Sequence, residues 1–146
     1  MRLMGNLLLR LGGALSFAIA LLHIAIIFIG APAYRYFGAG EDMATAAETG
    51  SAVPGAMTLV LAAIFTIWGF YALSGAGAIR RLPLLTIALV LIGAVYTLRG
   101  TAVVQQLFQI ATSSAEVAPR EVIFSLVSLV TGLFYLIGTI SKRKSL

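Results

Sequence analysis

A chain of 146 residues that is 60% hydrophobic and 10% charged, with mean hydropathy +1.04, lies outside the range of soluble domains, where about a quarter of residues are charged. Its net charge of +5 comes from basic groups at segment ends, with no aromatic-studded basic face, which argues against nucleic acid as a partner. Having no cysteine, it has no thiolate metal site, disulfide chemistry or thioether-linked haem, and its length allows a single domain over residues 1–146.

Crossing a hydrocarbon core of about 30 Å takes roughly 20 apolar residues in a helix. Four stretches qualify, at 7–30, 54–74, 83–102 and 122–140. The first contains His23, the chain's one histidine. Arg2, Arg10, the apolar run and "APA" at 31–33 imitate a signal peptide, but the 20 residues from Leu11 to Gly30 exceed the h-region of about 7–15, so a retained span is expected.

The connection 31–53 begins with Tyr34, Tyr36 and Phe37, residues suited to the headgroup level. Glu41 to Thr49 is expected to form a turn or two of surface helix, its early acids favoured by the helix dipole. The second span carries Thr58 in its outer part and Trp68 in its inner half, the latter read as packing. "SGAGAIRRLP" then predicts a tight turn: Gly75 and Gly77 end one helix, Arg80 and Arg81 stay in water, and Pro83 opens the next. Beyond the third span, 103–121 places Val103, Leu107 and Ile110 on one side and Gln105, Gln106 and Gln109 nearer the other. It is either an outward extension of the third helix or a short helix lying in the interface. "GFYALSG" at 69–75 and "GLFYLIG" at 132–138 echo one another, and read as two independent interfacial tyrosines.

Arg2, Arg10, Arg80, Arg81, Lys142, Arg143 and Lys144 fall on one side with no acid among them. All five acids (Glu41, Asp42, Glu48, Glu116 and Glu121) fall on the other, with Arg35, Arg99 and Arg120. With an even number of spans, this asymmetry places both termini in the cytoplasm. The expected fold is an all-α integral membrane four-helix bundle, left-handed.

Polar residues at membrane depth are costly and are the natural place to look for function. His23, Thr58, Tyr96, Thr97, Ser125 and Ser128 are expected at a common depth, with Arg99 shallower and Glu121 at the rim. In the first helix Ser16, Ala20, His23 and Ile27 share a stripe at 3.6-residue spacing, as do Ser125, Ser128, Gly132 and Tyr135 in the fourth. His23, Thr58, Tyr96, Arg99, Glu121, Ser125 and Ser128 therefore form the expected lining of a polar pocket open to the outer face. The competing account, preferred for His23, is that these groups bond helix backbones or one another and glue the helices together. Arg99 keeps its charge, so it pairs with Glu121, Glu116, Glu41 or Asp42, snorkels to a lipid headgroup, or binds an anionic ligand. No metal site or cofactor is expected. Ser125 or Ser128 with His23 lacks the orienting acid of a hydrolytic triad.

Size and span number are similar to those of the small multidrug exporters, but no acid stands in the first span, and the Asn and Phe motifs of the fluoride channels are missing. "GAPAYRYFGAGEDM", "FTIWGFYALSGAGAIRRLPLL" and "FSLVSLVTGLFYLIGT" together resemble an uncharacterised group of small bacterial four-helix inner-membrane proteins. That resemblance implies a bacterial four-helix inner-membrane protein and nothing further. The leading functional expectation is a non-enzymatic membrane protein that binds a lipid, small amphiphile or partner helix in the polar pocket. The alternative is a small oligomeric transporter or channel using His23 for proton or solute coupling, with a membrane hydrolase or transferase third. Membrane lipid is the expected partner, together with a partner membrane protein or further copies of the chain.

The charge asymmetry predicts that a fluorescent protein fused after Leu146 fluoresces, and that alkaline phosphatase inserted into the 31–53 connection is active. The reverse pattern would show an inverted orientation.

Overall fold

The computed structural model describes residues 2–142, so Arg143 and Lys144 of the basic side lie outside the described residues. The described residues form seven helices and no strand: α1 (Arg2–Ile29), α2 (Ala31–Tyr36), α3 (Glu41–Glu48), α4 (Val53–Gly75), α5 (Leu85–Gly100), α6 (Ala102–Thr112) and α7 (Pro119–Lys142). α1, α4, the run Leu85–Thr112 and α7 are each long and apolar enough to cross a membrane.

Local chemistry explains the breaks. Gly30, at φ 77°, lets the chain leave α1, and Pro32 then stands in the first turn of α2, where its missing N–H is no loss. After α4 the turn wraps around Ser74, whose hydroxyl donates to the Arg80 carbonyl (3.0 Å) and accepts from the Leu82 N–H (2.9 Å). Pro83 precedes the next helix without opening it: α5 begins at Leu85, after Leu84 in the left-handed region at φ 52°. Thr101, between α5 and α6, keeps helical dihedrals, and its N–H reaches the Thr97 carbonyl at 2.9 Å. The two helices therefore form one 28-residue run, the extension of the third helix, and Arg99 lies midway along it, well short of its end.

The chain divides into two compact units, one of residues 16–67 and one of 1–15 with 68–146. In the larger unit α5 packs antiparallel on α7. A Cβ on Gly100 would stand 2.5 Å from the Leu129 backbone, one on Gly132 2.6 Å from the Thr97 nitrogen, and one on Gly93 2.8 Å from Leu136. Hydrogen in place of a side chain is what permits that approach. Tyr135 is fully buried; its hydroxyl donates to the Trp68 carbonyl (2.8 Å), and its ring lies 5.8 Å from Tyr96, which meets Trp68 edge-on at 5.1 Å. The two echoing tyrosines thus differ: Tyr71 is half-buried and donates to the Pro83 carbonyl, whereas Tyr135 is a core residue. Lys142 donates to the Gly75 carbonyl, a cation on the last residue of α4, where the helix dipole favours it.

In the smaller unit α2 and α3 form a cap around Ile26, Ala31, Ala33, Tyr34 and Ala44, with Phe37, Met43 and Ala47 against them. The "APA" triplet that imitates a cleavage site is thereby part of a packed helix, its two alanines buried.

Gly100→Ala should destabilise the protein by about 1–3 kcal/mol, the usual range for overpacking, because its methyl meets backbone. Gly55→Ala, where the nearest atom is 3.8 Å away, should be neutral or slightly stabilising. Thermal unfolding of both variants in detergent is the check.

Candidate functional site

His23 projects from the C-terminal half of α1 and is half-buried. Its Nδ1 donates to the Ile19 carbonyl one turn back (2.8 Å), and its ring lies 5.0 Å from Phe65 at 45°. A carbonyl can only accept, so the neutral ring is the Nδ1–H tautomer, with Nε2 left as acceptor. Thr58 is buried; its hydroxyl donates to the Pro54 carbonyl (2.8 Å) and lies 3.3 Å from the Tyr34 hydroxyl, joining α2 to α4. The His23 bond thus lies inside α1, while the Thr58 contact spans α2 and α4.

Alongside them, small residues open a groove. Ala20 faces Ala62 and Ala63, and Phe17, Leu21, Ile24, Leu59 and Thr66 complete the lining of a cavity of about 420 Å³ between α1 and α4. Its one side-chain hydroxyl, that of Thr66, is already donated to the Ala62 carbonyl at 2.8 Å, so the walls offer an occupant apolar surface alone.

In the larger unit Tyr96 is buried in the ring cluster, and Ser125, Ser128, Gly132 and Tyr135 form one buried stripe on α7. Glu121 is exposed in the first turn of α7, the end a carboxylate favours. Arg99 is exposed and has no ion-pair partner among the described residues. It stands in a cleft of about 590 Å³ with Val95, Leu98, Thr101, Ala102 and Gln105. The expected pocket residues therefore divide between the units, His23 and Thr58 in one and Tyr96, Arg99, Glu121, Ser125 and Ser128 in the other. Tyr96 faces the core while Arg99, three residues on, faces away from it.

One grouping escaped the sequence reading. Arg35, on α2, sends Nε to both Glu41 oxygens (3.0 Å each), Nη2 to Glu41 (2.6 Å) and Nη1 to Glu48 (2.6 Å). The seven-residue interval between the two glutamates, about two helical turns, was the available signal. Hydrogen bonds from Arg35 hold both carboxyls below their ordinary value and raise the guanidinium further. All three side chains are exposed, so the clamp orders the α2–α3 cap more than it stabilises the fold. No three of the described His, Asp and Glu residues gather as a metal site would require.

Comparison with known protein families, with characterised proteins and with solved structures finds no match to this chain. What stands is that α1, α4, the run Leu85–Thr112 and α7 have the length and apolarity of membrane spans.

Because the folded carboxyls titrate below the unfolded value of 4.5, the clamp's contribution is complete above that pH and is lost as pH falls through the lowered folded values. Spin labels on cysteines introduced at exposed Pro32 and Asp42 should show a sharp distance at pH 7 that broadens on acidification below about 4.5. Arg35→Gln should give the broad distribution at both pH values.

Proposed function

We propose that the four long helices cross a bilayer, the inner membrane of a bacterium, with both termini cytoplasmic, and that the protein is a non-enzymatic component holding a lipid chain or small amphiphile in the α1–α4 groove. The observation that carries this reading is the groove itself: about 420 Å³, walled by aliphatic and aromatic carbon, with its one hydroxyl satisfied internally. Such a surface discriminates by shape and apolarity, which suits a hydrocarbon chain and gives nothing to a hydrated solute. Large apolar side chains flank it outward, Leu21 at 70% and Leu59 at 55% exposure, as expected where lipid is the solvent.

Purified protein in vesicles containing a photoreactive fatty acid should be labelled within residues 16–29 and 53–67. Ala63→Trp, which fills the groove from an exposed position, should cut that labelling about tenfold, equivalent to roughly 1.4 kcal/mol of binding. Labelling that is equal in the variant, or spread over all four long helices, would overturn the proposal.

A further inference from the structure

In the larger unit the pairing of α5 with α7 sets a common scale of height. Gly93 meets Leu136, Thr97 meets Gly132, and Gly100 meets Leu129, so residues advance outward on α5 as they recede on α7. α7 is charged only at its ends, at Arg120, Glu121 and Lys142, and the 20 uncharged residues between, 122–141, are centred beside Gly132. Thr97 therefore lies at mid-height, and Arg99 is two residues farther out, about 3 Å. If α7 spans the bilayer, as the proposed function requires and on which this inference rests, then an exposed guanidinium stands near the middle of the hydrocarbon.

An unpaired cation at that depth calls for a partner. The phosphate layer lies about 15 Å away along the helix axis, farther than a guanidinium reaches on its three-methylene stem. A second copy of the chain cannot serve, because the same face in parallel copies sets Arg99 against Arg99. The chain's own acids, at 41, 42, 48, 116 and 121, all stand outside the apolar parts of the long helices. What fits is a carboxylate at mid-height on a helix of another membrane protein. The surface around Arg99 has the form such a helix needs: Val95, Leu98, Ala102 and Gln105 follow one another at three- and four-residue intervals along one side. Ala102 allows close approach, and Gln105 offers a further hydrogen bond across the interface.

We propose that the Arg99 face of the α5–α6 run is a docking surface for a transmembrane helix of a different protein bearing an Asp or Glu at its midpoint. The test uses the full chain in phosphatidylcholine vesicles with a labelled synthetic polyleucine helix carrying one central Asp, read by energy transfer. Its association should exceed that of the all-leucine peptide by about tenfold or more. The gain should vanish in Arg99→Leu, persist in part in Arg99→Lys, and be absent when the Asp is moved to the peptide's end. Equal association of all peptides, or a gain that survives Arg99→Leu, would refute the proposal. So would Arg99-dependent retention of phosphatidylglycerol in native mass spectrometry without any gain from the central Asp, which would make lipid phosphate the partner. Release of the chain from the vesicles by alkaline carbonate would instead overturn the membrane reading, and this inference with it.

Discussion

The contact of α5 with α7 through glycine is the constraint on which the larger unit depends. Cohesion across such a contact comes from short-range dispersion and a few polar contacts, both of which need the backbones close. Gly93, Gly100 and Gly132 supply that closeness. The Thr97 hydroxyl, buried without a conventional hydrogen-bond partner, lies against Gly132, where a Cα–H···O contact is the weak interaction available to it. On that base the aromatic cluster adds direction: Tyr135 ties α7 to the α4 backbone at Trp68, and Tyr96 fills the space between the two rings.

The polar residues divide by what their hydrogen atoms do. Thr58, Thr66, Thr131 and Thr139 each return a hydroxyl to the carbonyl four residues back, and His23 does the same with Nδ1. Of these, Thr66 alone lines the groove between α1 and α4, and its internal bond leaves that wall apolar. Arg99 differs in kind, since no arrangement of its own backbone removes its charge.

Much of the architecture was legible in the amino-acid order, because twenty-residue apolar runs have few alternatives. The continuity of α5 with α6 was legible only as one of two readings, since Gly100 and Thr101 behind an arginine also look like a helix end; the glycine is there for the approach of Leu129, and the helix runs through it. α2 was missed because six residues containing a proline show no periodicity. The stripe of Ser125, Ser128, Gly132 and Tyr135 was readable because burial follows the helical repeat, and all four residues are buried. The bonding of His23 was not, because spacing places a side chain on a face and leaves its rotamer open.

The clamp on Arg35 also bears on how the α2–α3 cap can change in length. Its two carboxylates come from the first and last residues of α3, seven positions apart, so they return to nearly the same azimuth after about two turns. One planar guanidinium thus gauges the phase of that helix. A single inserted residue would swing the second glutamate by about 100°, out of its reach, whereas whole-turn changes would preserve the azimuth. The length of α3 is thus held to a rhythm, as the identity of Ala44 is held by burial.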